Sequence, residues 1–230
     1  MGEPAKGADG IRLISVEEGF LIPEAIEELK RLAGGVPSMK SGPIAGPFIP
    51  KLLDIGAGRI AEMDADGVDV QILSLSAPGV QKSAPQDALA LSRIANDRLA
   101  EAVKAHPTRF AGLAVAPPQA PEEGAKELER AVAKLGLKGL IVNSHTNDEY
   151  LDAPKFWPLL EAAEALDVPV YLHPREPAAG LWDGLMGMSG FTVGWAYAVE
   201  TGTHALRMIA AGVFERFPKL QMVLGHLGET

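Results

Sequence analysis

Two histidines follow short apolar runs, and their chemistry could be shared. His173 follows the run 168–172 (VPVYL), and His226 follows the run 220–225 (LQMVLG). Apolar runs of this length with β-branched side chains are typical of buried strands. A single histidine at a strand end is more often a core or capping residue. Two histidines at equivalent ends of two strands favour a pair of metal ligands instead.

A carboxylate joins this pair. Glu17 directly follows another strand-like run, 12–16 (RLISV). The carboxyl ends of parallel strands meet at one face of a barrel, so we expect Glu17, His173 and His226 to lie together. One carboxylate and two imidazoles suit a divalent cation such as zinc or manganese, whereas calcium prefers more oxygen ligands. Glu18 points to the other side of the strand and is the natural control.

Strands and helices are predicted to alternate along the chain. The predicted strands are 12–16, 70–75, 110–115, 139–142, 168–172 and 220–224. The predicted helices are 22–32, 52–63, 86–105, 121–135 (with Gly136 as its C-cap), 154–166 and 203–214. Segment 34–50, rich in Gly and Pro, is read as an irregular excursion within the domain. This alternation indicates βαβ units on a parallel sheet.

The expected fold class is therefore α/β, a (β/α)8 TIM barrel. Such a barrel takes about 250 residues, and only six units are visible in the 230 residues of this sequence. We expect the last two strands to be missing from this chain. We also expect a disordered tail at 1–10 and one incomplete barrel domain at 11–230. An open doubly wound sheet ranks second, because polar residues at so many strand ends fit a closed ring better.

Composition excludes several classes of protein. The net charge of −9 and the pI near 5.1 argue against a nucleic-acid partner, because no basic surface would neutralise phosphates. The chain has no cysteine, so a thiolate metal site and a cysteine nucleophile are excluded. No apolar run approaches the ~20 residues of a membrane span, and the N-terminus lacks the apolar region of a signal peptide. We expect a cytoplasmic protein without a membrane partner.

Further polar residues follow the fourth and fifth strands. Asn143 and His145 come directly after the fourth strand, and His145 fits a substrate site and a turn equally well. Arg175 comes two residues after His173, where it could reach a substrate carboxylate or pair with Glu176.

Two other histidines and an aromatic segment are less informative. His106, before a strand, is expected at the surface, and His204, inside a predicted helix, at the surface or behind a ligand. Segment 182–197 contains three tryptophan or phenylalanine side chains and a tyrosine. It fits a pocket wall or an oligomer contact slightly better than a covered loop.

Seven stretches, spread over nearly the whole chain, together resemble a known family. They are VEEGF (16–20), QILSLSAPGVQ (71–81), ND (96–97), PTRF (107–110), NSHT (143–146), YLHPR (171–175) and GHLGE (225–229). In this order they resemble the amidohydrolase-related non-oxidative decarboxylases, the group around aminocarboxymuconate-semialdehyde decarboxylase. The closer resemblance is to its aromatic-acid branch, which contains γ-resorcylate, dihydroxybenzoate and carboxyvanillate decarboxylases.

The resemblance implies a barrel of the metal-dependent hydrolase superfamily with one Zn²⁺ or Mn²⁺. Its metal ligands would be Glu17, His173 and His226, with a late aspartate, also the proton donor, placed beyond the end of this sequence. The implied activity is non-oxidative decarboxylation of an ortho-hydroxy aromatic acid, a small-molecule aromatic carboxylate. His226 and Glu229 would be catalytic, by polarising the phenol or orienting the ligands. A homodimer or homotetramer is implied as well.

The same resemblance implies the substrate contacts, which would be Asn143, His145 and Arg175. Two alternatives stay open. The first is a metal-dependent hydrolase or hydratase on the same scaffold, in which the metal activates water. Hydrolytic relatives often bridge two metals with a modified lysine after a middle strand, and the fourth strand here ends in Asn143 without a lysine. The second is a catalytically dead fragment that lacks the late aspartate.

Overall fold

Strands and helices alternate through most of the chain. The structure is a computed structural model, and it describes residues 10–32, 48–182 and 195–226. The strands are β1 Ile14–Phe20, β2 Val70–Leu75, β3 Phe110–Gly112, β4 Ala114–Val115, β5 Leu140–Asn143, β6 Val170–His173 and β7 Met222–Leu224. Every pair of neighbouring strands is parallel. The predicted alternation on a parallel sheet is confirmed.

The helices lie between these strands. They are α1 Pro23–Leu32, α2 Ile49–Leu53, α3 Ala57–Asp66, α4 Pro85–Ala105, α5 Pro121–Ala133, α6 Trp157–Ala165, α7 Ala179–Trp182, α8 Tyr197–Ala210 and α9 Val213–Arg216. Helices α4 and α5 begin at a proline, whose fixed φ and missing N–H suit the first helical position. None of the helices within the described ranges is long and apolar enough to cross a membrane.

One predicted strand, 110–115, contributes to two sheets. Its first half, β3, pairs with β2, and its second half, β4, pairs with β5. Between the halves, the Leu113 N–H donates to Leu73 O at 2.9 Å, and the next N–H, of Ala114, donates to Gly139 O at 2.7 Å. The strand therefore changes partner within one residue. As a result, the sheets β1-β2-β3 and β4-β5-β6-β7 follow each other as one continuous arc of strands.

The core lies between this arc and the helices. Leu99 of α4, Leu128 of α5 and Leu159 of α6 are almost fully buried. They pack with strand residues such as Leu73 and Leu140 in a single apolar cluster. Burying each of these leucines contributes about 1.5–3 kcal/mol to folding. The helices thus hold the strands in place, and the strand ends carry the polar groups.

Two helix predictions need correction. The helix predicted at 52–63 is two helices, α2 and α3, because the Asp54 carboxylate accepts the N–H of Gly56 at 2.8 Å and so stabilises a turn between them. The helix predicted at 203–214 begins earlier, at Tyr197, and stops at Ala210. Gly212, in the left-handed conformation, separates it from α9.

Candidate metal centre

Glu17, His173 and His226 meet at the end of the strand arc. Glu17 Oε1 lies 3.2 Å from His173 Nε2 and 3.3 Å from His226 Nε2. The two imidazole rings are perpendicular, with centroids 5.2 Å apart. One ligand atom of each residue lies within 4.8 Å of the others, which makes this the one such group of three among the described residues. The structure thus brings together the three side chains that the sequence singled out.

A β-bulge turns Glu17 toward the histidines. Ser15 of β1 pairs with Gln71 of β2, whereas Glu18 already pairs with Leu73, so the register shifts between them. Two residues of β1 therefore stand opposite one residue of β2, which bends the strand and redirects side chains. Glu17 was expected just after the first strand. It lies inside β1, because the strand continues through this bulge to Phe20.

The neighbouring carboxylate, Glu18, contacts Ser15 and Arg59 and not the two histidines. Glu18 Oε1 accepts the Ser15 hydroxyl at 2.5 Å, and Glu18 Oε2 lies 4.0 Å from Arg59 Nη1. The group of three ligand residues does not include Glu18. Glu18 is therefore a suitable control for substitutions at Glu17.

Glu17 also joins the two ends of the arc. The backbone N–H of His226 donates to Glu17 Oε2 at 3.0 Å, so β1 contacts the residue that follows β7. His226 has a φ of +47°, a conformation that is uncommon for a residue other than glycine. A Cβ on Gly225 would lie 3.0 Å from Glu17 Oε1 and 3.0 Å from Leu172 O. The missing side chain at Gly225 therefore leaves room for the carboxylate.

The electrostatics of the cluster keep the imidazole of His173 neutral. Burial, the largest cause, lowers the pKa of His173; the Glu17 carboxylate opposes this shift and His226 adds to it. Burial together with Glu17 raises the pKa of the Tyr171 phenol, which lies in the layer below. A neutral imidazole offers the lone pair that a metal ligand needs.

These residues fit a divalent metal ion. Glu17 Oε1 is buried and makes no hydrogen bond, although two imidazole nitrogens lie next to it. Buried carboxylate oxygens are normally satisfied by a donor or a cation. One carboxylate oxygen and two imidazole nitrogens are a donor set that zinc and manganese accept.

The predicted substrate contacts lie beside the cluster and differ in their partners. Asn143 ends β5 and pairs in register with His173, and its side-chain oxygen and nitrogen are buried without a hydrogen bond. His145 uses both ring nitrogens: Nδ1 accepts the Asp148 N–H at 3.2 Å, and Nε2 lies 3.1 Å from Glu176 O. The imidazole of His145 therefore stabilises the turn.

Arg175 is buried and has few partners. Its Nε lies 3.9 Å from Glu176 Oε2, and neither Nε nor Nη1 makes a hydrogen bond. Burial lowers the pKa of Arg175, opposed by nearby carboxylates that include Glu176 and Glu200. A guanidinium stays charged under such shifts. Arg175 therefore brings a positive charge to the loop after β6, where the neighbouring Glu176 also pairs with Lys82.

A buried network that the sequence analysis missed holds these loops. Glu200 of α8 is fully buried and accepts the Ser144 hydroxyl at 2.6 Å, the Tyr150 hydroxyl at 2.9 Å and the Ala178 N–H at 3.2 Å. It thus joins the loops after β5 and β6 to one helix. The spacing of Glu200 and His204, four residues apart, was the available signal, because it puts both on one helical face.

The other two histidines and the aromatic residues near α8 differ in their burial. His204 is fully buried, not at the surface, and its Nε2 accepts the Leu151 N–H at 2.9 Å. His106 follows α4 and is partly buried. The Tyr197 ring lies 6.0 Å from the His226 ring, whereas Trp195 is half exposed.

Several predictions fall outside the described residues. These are Glu229, Phe191, the side chain of Trp182, nearly all of the tail predicted at 1–10 and most of the excursion predicted at 34–50.

Comparison with known proteins identifies the family. A model of the amidohydrolase family matches residues 51–230. The gamma-resorcylate decarboxylase of Polaromonas sp. strain JS666 is 43% identical over 226 residues, which cover 94% of this chain and 67% of that protein.

Solved structures of similar proteins agree. The crystal structure of 5-carboxyvanillate decarboxylase from Sphingomonas paucimobilis has a TM-score of 0.86 at 42% identity and covers 95% of this chain and 68% of that one. The enzyme of the same name from Novosphingobium aromaticivorans has a TM-score of 0.89 at 36% identity, covering 99% and 69%. That structure is of an aspartate-to-asparagine mutant and contains manganese and 3-methoxy-4-hydroxy-5-nitrobenzoic acid.

The comparisons confirm both the expected barrel fold and the resemblance. The chain spans about two thirds of the length of these relatives. The family match covers well over half of the chain, and the predicted α/β fold is the fold of the solved relatives. The chain belongs to the amidohydrolase family.

Proposed function

We propose that this protein catalyses the non-oxidative decarboxylation of an ortho-hydroxy aromatic carboxylic acid, with one Zn²⁺ or Mn²⁺ as its cofactor. It would be a carbon–carbon lyase that releases carbon dioxide. The observation that carries the proposal is the convergence of Glu17, His173 and His226 within 4.8 Å. The relatives of similar sequence are decarboxylases of hydroxylated aromatic acids, and one of them was solved with manganese.

Glu17, His173 and His226 would hold the ion. When bound, a divalent cation supplies a Lewis acid that polarises the oxygens of the substrate. Glu17 is fixed for this role because Oε2 accepts the His226 N–H while Oε1 faces both imidazoles. The neutral state of His173 keeps its ring nitrogen available as a ligand.

His226 and Glu229 are the proposed catalytic residues. In decarboxylation, a proton is delivered to the ring carbon that bears the carboxylate, and the electrons of the broken carbon–carbon bond return to the ring as carbon dioxide leaves. The His226 imidazole lies 5.2 Å from the His173 ring and 6.0 Å from the Tyr197 ring, measured between centroids, and it would polarise the phenol oxygen of the substrate. The role of Glu229 rests on the sequence alone, as an acid three residues beyond His226.

Asn143, His145 and Arg175 are the proposed substrate contacts. Asn143 is supported best, because it pairs with His173 and both of its amide atoms lack partners. Arg175 would supply positive charge for a carboxylate. His145 would contribute by shaping the loop, because its ring nitrogens are engaged there.

The test combines metal content with carbon dioxide release from hydroxybenzoates. We expect about one Zn²⁺ or Mn²⁺ per chain, lost in His173→Ala and in His226→Ala and retained in Glu18→Ala. Carbon dioxide release should follow the metal content. Protein that binds no metal, or that binds it equally well without His173, would contradict the proposal.

We further propose that the protein is a cytoplasmic homodimer or homotetramer. Two exposed apolar side chains on one face of α8, Leu206 and Ile209, support this assembly. Light scattering on the purified protein measures the assembly directly. A monomer at micromolar concentration would contradict this part of the proposal and leave the chemistry untouched.

A further inference from the structure

The bulge in β1 decides which side of the strand Glu17 faces. Residues two apart on a regular strand share a side, so residues 15 and 17 would point the same way. In β1, the Ser15 hydroxyl instead donates to Glu18 Oε1, so residues three apart share a side. Glu17 faces the opposite side, where its Oε1 lies 3.2 Å from His173 Nε2. The extra residue of the bulge therefore selects one of two adjacent glutamates to face the histidines.

The first half of β1 is anchored by Asp69, a buried residue just before β2. Asp69 Oδ2 accepts the Leu13 N–H at 2.6 Å, and the Asp69 N–H donates to Leu13 O at 3.0 Å. Two residues later, Ser15 pairs in register with Gln71 of β2. The pairing of the first half of β1 is therefore fixed from its start.

The second half of β1 is anchored by Arg59 of α3. Arg59 Nη2 donates to Gly19 O at 2.8 Å, two residues beyond Glu17. Arg59 Nη1 donates to Gln71 Oε1 at 3.2 Å, and Gln71 is the residue that pairs with Ser15. One guanidinium thus contacts β1 after the bulge and β2 at the level where the bulge begins.

Arg59 also holds α2 against the end of β1. Its Nη2 donates to Lys51 O at 3.2 Å, and its Nε donates to Asp54 O at 2.7 Å. The intervening Leu52 O accepts the N–H of Leu21, the residue that follows β1, at 2.8 Å. Arg59 is buried, and each of its three guanidinium nitrogens has an oxygen partner. A buried cation needs such partners, so its position is well defined.

The two anchors differ by one residue in register. Continued along a regular strand, the pairing of the first half would place Glu17 opposite Leu73. In the structure, Glu18 is the residue opposite Leu73. A shift of one residue moves a side chain to the other face of a sheet. If the second half followed the first, Glu18 would therefore face the histidines in place of Glu17.

We propose that Arg59 is a positioning residue that selects Glu17, and not Glu18, as the carboxylate of the metal centre. It holds the second half of β1 one residue out of register with the first. Its hydrogen bonds to β1 and α2 go to main-chain carbonyls, whereas the Glu18 carboxylate lies 4.0 Å away, so it acts on the strand itself. This inference rests on the proposed function, because it concerns a ligand of the same ion.

The test is the affinity for Mn²⁺, measured by competition with a chelator. For Arg59→Ala we expect binding to be weaker by roughly 10–100-fold, as when an orienting contact is lost at other metal sites. Asp69→Ala is the matched control, because it releases the first half of β1 and leaves Arg59 in place. Both variants should lower stability to urea, and only Arg59→Ala should weaken Mn²⁺ binding.

A second measurement asks whether the two glutamates exchange roles. In the wild type, Glu17→Gln should abolish Mn²⁺ binding and Glu18→Gln should leave it unchanged. In the Arg59→Ala background, Glu18→Gln should weaken the remaining binding by roughly tenfold, and Glu17→Gln should add little. A role of Arg59 in stability alone would not exchange the two.

Arg59→Lys takes the place of Arg59→Ala if that variant does not fold. Lysine keeps the charge and loses the planar set of donors that reaches several carbonyls at once. We expect a smaller loss of Mn²⁺ affinity in the same direction and the same new sensitivity to Glu18→Gln.

The outcomes separate this inference from the function on which it rests. If the Arg59 variant binds Mn²⁺ as the wild type does, or if Asp69→Ala weakens binding as much, the selecting role is wrong and the metal site stands. The selecting role is also wrong if Glu18→Gln has no effect in the Arg59 background. A wild-type chain that binds no Mn²⁺ would overturn both proposals.

Discussion

At the scale of single residues, the candidate metal centre depends on a glycine that has no chemistry of its own. A Cβ at Gly225 would lie 3.0 Å from Glu17 Oε1 and 3.1 Å from Tyr171 Cε1. We predict that Gly225→Ala displaces the carboxylate and weakens Mn²⁺ binding by roughly 10–100-fold, as loss of an orienting contact does at other metal sites. Competition with a metal chelator measures the affinity.

The matched control for this change is Gly180→Ala. Gly180 lies in α7, and a Cβ there would meet nothing within 4 Å. This variant should bind Mn²⁺ as the wild type does. Equal affinities for Gly225→Ala and the wild type would mean that Glu17 Oε1 is not a ligand in this geometry.

A second residue-scale prediction concerns the buried His204. Burial lowers the pKa of His204 to about 3, and His145 and Arg207 add to the shift. In the unfolded chain its pKa is near ~6.5. As the pH falls below ~6.5, the unfolded chain takes up a proton at His204 and the folded chain does not, which favours unfolding. The contribution of the neutral His204 to stability is therefore complete above pH ~6.5 and is lost as the pH falls toward the folded pKa of about 3.

We therefore predict that His204→Gln makes stability less dependent on pH. The glutamine can still accept the Leu151 N–H that Nε2 accepts in the wild type. Between pH 6 and 4, the unfolding free energy of the variant should fall less steeply with pH than that of the wild type, by up to about 1.4 kcal/mol per pH unit. Urea unfolding at several pH values measures this, and His106→Gln, outside the network, serves as the reference. An unchanged slope would show that His204 is already protonated in the fold.

At the scale of elements, one asparagine joins α4, β4 and α5. Asn96 Oδ1 accepts the Val115 N–H at 2.9 Å, and its Nδ2 donates to Val115 O at 2.9 Å and to Glu127 Oε1 at 2.8 Å. Val115 belongs to the two-residue strand β4, so this side chain satisfies backbone groups at the point where the arc changes partner. All three residues are buried.

We predict that Asn96→Ala destabilises the protein by about 3 kcal/mol, because it leaves the buried N–H and C=O of Val115 without their side-chain partner and removes one donor from Glu127, which keeps Arg130. Chemical denaturation measures the loss. Asp97→Ala is the control, because the adjacent Asp97 is exposed and only pairs with Arg130; it should cost less than about 1 kcal/mol. Equal costs for the two variants would contradict the joining role of Asn96.

Most elements could be predicted from the sequence because their apolar periodicity is local. The strand predicted at 110–115 was found where expected, but its division between two sheets depends on neighbours distant in sequence. The bulge at Glu17 likewise exists only in the pairing of β1 with β2. Helix α8 was predicted to begin six residues too late, because the aromatic segment before it gave no start signal.

The candidate site also contains residues that could be predicted from the sequence and residues that could not. Glu17, His173 and His226 could be predicted, because a polar residue at the end of a buried strand stands out and parallel strand ends converge. Gln81 and Glu200 could not, because their role is to bind loops that fold from separate parts of the chain. Their residue types are common in solvated loops and helices, and the one signal in the sequence, the spacing of four residues between Glu200 and His204, does not show which loops Glu200 binds.

At the scale of the whole molecule, the proposed metal ligands come from both ends of the strand arc. Glu17 belongs to β1, and His226 follows β7. Within the described residues, β1 pairs only with β2 and β7 only with β6, and apolar side chains on both strands are exposed, among them Val16 and Val223. The contact of Glu17 with the N–H of His226 is thus a link between two edges of the sheet.

We predict that Mn²⁺ stabilises the entire fold. An ion held by Glu17 and His226 would join the two edges, and binding to the folded state alone raises the unfolding free energy by about 2.7 kcal/mol when the free ion exceeds its Kd 100-fold. Thermal unfolding with and without Mn²⁺ measures the gain. It should be absent in Glu17→Gln and in His226→Ala and retained in Glu18→Gln, whose side chain faces Ser15 and Arg59. A gain that persists in His226→Ala would mean that the ion binds elsewhere and that the two edges are held together without it.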